Sequence, residues 1–214
     1  MCWILAILSV IATVSLFLPL HYNRWGNLSR FWTLFFKVVP TAICAVFAGA
    51  AAMMGGGVYA LLIFIGICIC CAGDWLLRGH FITGGVMFLT GHLFYISAFC
   101  VQQTPAVWSL PVFALMLGLL WLFLQQFRKK MGQKMFVLVR IYTTVLAVLL
   151  AISLPMPFAV FSIRTLFAAL GALIFVLSDM GVCHGMLCKI SHRRRVTYLG
   201  IYYLAQLLLA LSAY

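Results

Sequence analysis

Residues 73–95 read GDWLLRGHFITGGVMFLTGHLFY, and the rest of the chain takes its meaning from them. The stretch holds Asp74, one of only two acidic residues in 214; the other, Asp179, stands in a second apolar run, LSDMG. A carboxylate in hydrocarbon is costly unless it faces a bundle interior or water, so each acid marks a candidate functional position.

Around these two acids the composition is that of a membrane. The chain is 66% hydrophobic and 7% charged, against about 25% charged in a soluble domain. That excludes a large soluble core and leaves no room for a soluble dinucleotide fold. The net charge of +12 would point to nucleic acid in a soluble protein. No nucleic-acid motif accompanies it, and the basic residues lie in short loops, so membrane orientation explains the excess. Reading for runs of about 20 apolar residues gives eight spans: 2–20, 31–50, 58–77, 84–101, 106–126, 136–154, 158–180 and 196–214. The first run has neither a basic leading region nor a small-residue cleavage site and reads as a retained helix. The expected fold is an all-α bundle of eight transmembrane helices in one domain, 1–214, with a possible parallel repeat of 1–103 and 104–214.

The loops alternate in charge. Loop one holds Arg24 and Arg30, loop three Arg78, loop five Arg128, Lys129, Lys130 and Lys134, and loop seven Lys189, Arg193, Arg194 and Arg195; the even loops hold no Lys or Arg. The positive-inside rule then puts the odd loops in the cytoplasm and both termini on the other side. Lys37, Arg140 and Arg164 remain within spans. Counting along the spans places Asp74, Asp179, Lys37, Arg140 and His92 at one membrane level, with both acids at the ends of their helices. Only Arg164 falls near the other face.

The plainer reading of either aspartate is a structural ion pair with Lys37 or Arg140. Two acids at one level with surplus bases favour a site that takes an anionic group such as phosphate, held by Lys37 and Arg140. His92 and Tyr95 lie three apart on one helical face, and packing against Phe88 is the alternative to a binding role. Gly84, Gly85 and Gly91 read as close-packing positions. Most of the eight cysteines sit in apolar runs and behave as small hydrophobes. Cys183, His184, Cys188 and His192 are read as packing and interfacial residues, so no metal and no cofactor is expected. A haem would want two histidines at depth, and no nucleophile elbow is present.

Several of these segments together resemble the YhhN family, which includes the animal transmembrane protein 86 members known as lysoplasmalogenases. The segments are Gly73-Asp74, Gly84 to Phe88, His92-x-x-Tyr95, Lys37-Val-Val-Pro40, Phe175-Val-Leu-Ser178-Asp179, and Tyr202-Tyr203-Leu-Ala-Gln206. The one departure is MGVCHG after Asp179, where a more apolar continuation is expected. The resemblance implies hydrolysis of the vinyl-ether bond of lysoplasmalogens, releasing a fatty aldehyde and glycerophosphoethanolamine or glycerophosphocholine. It makes Asp74 and Asp179 catalytic candidates, and adds Tyr203 and Gln206 to Lys37, His92, Tyr95 and Arg140 as substrate-binding candidates. Vinyl-ether hydrolysis needs a protonated acid and a second carboxylate. The residues before Asp74 suggest a dry wall, which assigns it the proton and leaves Asp179 ionised to orient water. The expected partners are a lysophospholipid and the bilayer, with no nucleic acid. The expected location is a bacterial inner membrane or, in a eukaryote, the endoplasmic reticulum. From another functional class, a small proton-coupled transporter or lipid carrier would also use intramembrane carboxylates with a lysine.

Overall fold

The computed structural model describes residues 29–77 and 79–214, together with residues 7, 11, 14 and 15. The described residues are helical, with no strand among them. The long helices are α1 (Arg30–Ala51), α2 (Gly57–Leu76), α3 (Phe81–Gln102), α4 (Ser109–Gln125), α5 (Gln133–Ser153), α6 (Ile163–Leu187, after a single turn at Met156–Ala159) and α7 (His192–Ser212). Helices therefore stand at the last seven of the eight expected positions; the first, 2–20, lies outside the described residues except for 7, 11, 14 and 15. Four helical stretches are long and apolar enough to cross a membrane: Phe31–Leu76, Phe81–Gln102, Gln133–Ala159 and Ile163–Leu187. The chain is an integral membrane protein. The first of these stretches is two helices, because Gly55 (φ 93°) and Gly57 (φ 63°) take a conformation that L side chains rarely adopt and fold α2 back along α1.

The lipid-facing surface is apolar, as a bilayer requires. Val46, Leu61, Leu93, Val101, Leu119, Leu122 and Leu177 are all exposed on helix flanks. Small residues and polar groups turn inward, where helices must approach closely or exchange hydrogen bonds. A Cβ on Gly66 would fall 2.5 Å from the ring of Tyr95, and one on Gly91 would fall 2.7 Å from Cys70 Sγ. Only glycine lets α2 and α3 approach this closely. Serines start three of the helices: Ser29, Ser162 and Ser191 each accept a backbone N–H of the first turn, and Ser162 forms a capping box with Thr165.

One end of the bundle is strongly basic. Helices α2, α4 and α6 finish there and α1, α3, α5 and α7 begin there. Arg128, Lys129, Lys130, Lys134, Lys189, Arg193, Arg194 and Arg195 are all exposed at this end. The connections at the opposite end, 52–56, 103–108 and 154–162, carry no Lys or Arg.

The sequence reading ended the helix of Asp179 at that residue. Instead α6 runs on to Leu187, about two further turns or 12 Å. The MGVCHGML segment is apolar enough to stay helical, and neither Gly181 nor Gly185 breaks it. Asp179 therefore lies well inside its helix, whereas Asp74 sits three residues from Leu77, the C-cap of α2.

Candidate active site

A cavity of about 1190 Å³ opens at the basic end, and both acids line it. Its wall is largely apolar. Ile82, Val86 and Leu89 of α3 and Leu138, Val139 and Ile141 of α5 line it, and Lys37, Tyr142, Tyr202 and Arg195 are among the residues that bring polar groups besides the acids. Gly85 has open space where a side chain would stand, so it widens this cavity and does not pack a helix.

Asp74 is the more enclosed acid, and it is fully engaged. Lys37 Nζ lies 3.0 Å from Oδ1 and also donates to the Asp74 carbonyl at 3.1 Å. Thr41 donates to Oδ2 at 2.9 Å and Tyr202 to the same oxygen at 2.7 Å. Behind Tyr202, the Gln206 amide N–H donates to the Tyr202 hydroxyl at 3.1 Å, and Gln206 Oε1 accepts from Tyr95 at 2.9 Å. The amide fixes the direction of the chain. Because Gln206 donates to Tyr202, the Tyr202 proton is free to point at Asp74. Tyr203 donates to the Lys37 carbonyl at 2.7 Å, one residue along from the carbonyl whose helical N–H is missing because position 40 is proline. The lysine is thus held from both sides.

Asp179 has a different set of partners. Tyr142 donates to Oδ2 at 2.5 Å, and His92 Nε2 lies 3.6 Å from the same oxygen. The other imidazole nitrogen, Nδ1, is 2.6 Å from the Phe88 carbonyl, which only accepts, so Nδ1 carries a proton. Nε2 is buried and makes no hydrogen bond within the protein. With Nδ1 turned to the Phe88 carbonyl, Nε2 is the ring nitrogen that faces Asp179. Among the described residues no lysine or arginine meets this carboxylate. Its side chain is 13% exposed, toward the cavity, against 2% for Asp74. Phe175 stands between the two clusters, edge to face with His92 at 4.6 Å and with Tyr202 at 5.4 Å.

A model of the YhhN family matches residues 32–213. The chain belongs to the YhhN family. Lysoplasmalogenase TMEM86A of Homo sapiens is 30% identical over 158 residues, covering 71% of this chain and 64% of the relative. Lysoplasmalogenase TMEM86A of Bos taurus is 29% identical over the same shares. The chain thus spans just under two thirds of the length of these curated relatives. No solved structure matches it.

Within this YhhN chain the sequence-derived candidates fall into three groups. Asp74, Asp179 and Lys37 line the cavity. His92, Tyr95, Tyr203 and Gln206 lie behind its wall and act on the lining residues, since Tyr203 grips the lysine backbone and Tyr95 and Gln206 orient Tyr202. Arg140 is not brought to the cluster: its guanidinium lies over the Trp121 ring, 4.1 Å from the centroid. Four lining or partner residues escaped the sequence reading: Thr41, Tyr142, Arg195 and Tyr202, which stood there only as part of a resemblance motif. The drier setting expected for Asp74 is present, but its bond to Lys37 offsets the cost of burying a charge there. Dryness alone does not decide which acid holds a proton. Among the described residues no group of His, Cys, Asp and Glu is placed to hold a metal.

Proposed function

We propose that this protein hydrolyses the vinyl-ether bond of lysoplasmalogens inside the membrane, with Asp179 as the acid and Asp74 as the fixed carboxylate. This reverses the assignment drawn from the sequence. The observation that carries it is the inequality of two carboxylates in one largely apolar cavity. Asp74 accepts from an ammonium and two hydroxyls, the environment of an ionised group. Asp179 accepts from one hydroxyl and faces the unpartnered Nε2 of His92; in this reading the imidazole is neutral, and a proton shared between Asp179 and His92 removes a repulsion between two acceptors. The names of the human and bovine relatives support the same substrate class.

The chemistry follows in balanced steps. Asp179 transfers its proton to the outer alkene carbon, and the ether oxygen's lone pair stabilises the resulting oxocarbenium ion. The ionised Asp74 offsets that positive charge across the cavity. Water adds to the cation and gives its proton back to Asp179, with His92 as the neighbouring acceptor. The hemiacetal then collapses to a fatty aldehyde and a glycerophospho-alcohol. Neither a metal nor a covalent intermediate is needed. The apolar faces of α3 and α5 suit the alkyl tail, which enters sideways from lipid past Ile82, Val86, Leu138 and Ile141. The basic end, on the positive-inside rule, faces the cytoplasm.

The test is incubation of the purified protein with a lysoplasmalogen in deuterium oxide. The reading expects free aldehyde carrying one deuterium at the carbon next to the carbonyl, and no release from the saturated alkyl-ether analogue. No aldehyde, or aldehyde without deuterium, would contradict it.

A further inference from the structure

Lys37 is the cation a sequence reader would give to the substrate phosphate, and its geometry argues against that role. Its ammonium is 3.0 Å from the Asp74 carboxylate. A phosphate seated there would lie against that carboxylate, at the point where the alkene must react. In a lysoplasmalogen the outer alkene carbon and the phosphorus are seven bonds apart, about 8 Å when extended. The phosphate subsite therefore has to lie a headgroup's length from the acids.

Arg195 meets this requirement. It lines the same cavity as Asp74 and Asp179, and it is exposed at the basic end. It lies on α7 seven residues before Tyr202, the Asp74 partner, which is about 10 Å along the helix axis. No carboxylate competes for it. The chain's only two acids are Asp74, paired with Lys37, and Asp179, met by Tyr142 and His92. The neighbouring Arg193 and Arg194 do not line the cavity. Among the described residues, Arg195 and Lys37 are the Lys and Arg side chains that line the cavity, and Lys37 is already paired with Asp74.

We infer that Arg195 holds the phosphate of the lysophospholipid, spacing the headgroup so that the vinyl ether lies beside the two acids. The inference rests on the lysoplasmalogenase reading for the identity of the ligand. A guanidinium suits the task, because its fork matches two phosphate oxygens at once through charge-assisted bonds.

The test needs no turnover. The full chain in nanodiscs is titrated with a non-hydrolysable 1-alkyl-glycerophosphocholine and with the matched 1-alkylglycerol, which lacks phosphate. The wild type is expected to bind the phosphate-bearing lipid about 10 to 100-fold more tightly. Arg195→Gln should erase that difference while leaving alkylglycerol binding unchanged, Arg195→Lys should keep part of it, and Arg194→Gln should keep all of it. A difference that survives Arg195→Gln, or a loss shared equally by the alkylglycerol, would overturn the assignment. With vinyl-ether substrate, Arg195→Gln should raise KM and spare kcat; a fall in kcat at unchanged KM would overturn it as well. A wild type that releases no aldehyde would end the hydrolase reading, whereas the binding comparison still decides Arg195.

Discussion

The two acids of this protein share a cavity but not a chemistry. Asp74 is carried by α2 and met by α1 and α7, which supply a lysine, a threonine and a tyrosine. Asp179 is carried by α6 and met by α3 and α5, which supply an imidazole nitrogen without a hydrogen-bond partner and a tyrosine hydroxyl. In the proposed reading, three donors around one carboxylate hold it as a fixed negative charge, and one donor and one imidazole nitrogen around the other make a place where a proton can come and go. In a low-dielectric interior it is this donor count, more than depth or dryness, that separates a structural charge from a working acid.

The largest effect should come from removing the mobile proton. Asp179→Asn cannot donate it and should lower kcat by a factor of about 100 to 10,000, the usual worth of a general acid. Single-turnover aldehyde release measures this, and turnover close to wild type would mean that the two acids are not divided as described.

Breaking the fixed side should instead show in stability. Lys37→Met leaves Asp74 as a buried charge without its counter-ion, which costs about 3–5 kcal/mol. Thermal unfolding in detergent should report the loss, and the double variant Lys37→Met with Asp74→Asn should recover most of it. A single variant as stable as wild type would show that the pair is not what holds α1 to α2 at this level.

Gln206→Leu acts one step further back. It removes the group that orients the Tyr202 proton, leaves the Tyr95 hydroxyl only the weak acceptor Cys70 Sγ, and should destabilise by about 1–3 kcal/mol. Asp74→Asn in that background should add less than it does alone, because the two share a network. Strict additivity would separate them. The smallest effect belongs to Arg140→Gln, which lies off the cavity and should leave KM and kcat within about twofold of wild type. A large rise in KM would bring Arg140 back as a phosphate ligand.

Much of this site is legible from cost alone. An ionisable residue in an apolar run is conspicuous, so Asp74, Asp179, Lys37 and His92 stand out, and counting along helices puts them at one level. Counting depth does not give the helical face. Arg140 and Tyr142 are two residues apart on α5, about 200° around the axis, so only one of them can face the cavity. The charged residue draws attention, and the tyrosine takes the site. Thr41 is hidden for a related reason: a threonine in a helix ordinarily bonds its own backbone, as Thr90 does with the Val86 carbonyl. Arg195 is masked by Arg193 and Arg194, since a basic run reads as a solvated end. The span expected over 158–180 falls short of Leu187 because apolar length alone set its end, at the small and polar MGVCHG segment. Gly181 receives the ring of Tyr198 from α7, a tertiary contact that no local pattern announces.

The most direct measurement is infrared spectroscopy of the purified protein at neutral pH, in the region where a protonated carboxyl absorbs and a carboxylate does not. With only two acidic residues in the chain, each side-chain band can be assigned by a single substitution. The division of roles predicts one such band, shifted by deuterium oxide, that disappears in Asp179→Asn. A band that survives Asp179→Asn and disappears in Asp74→Asn would contradict it.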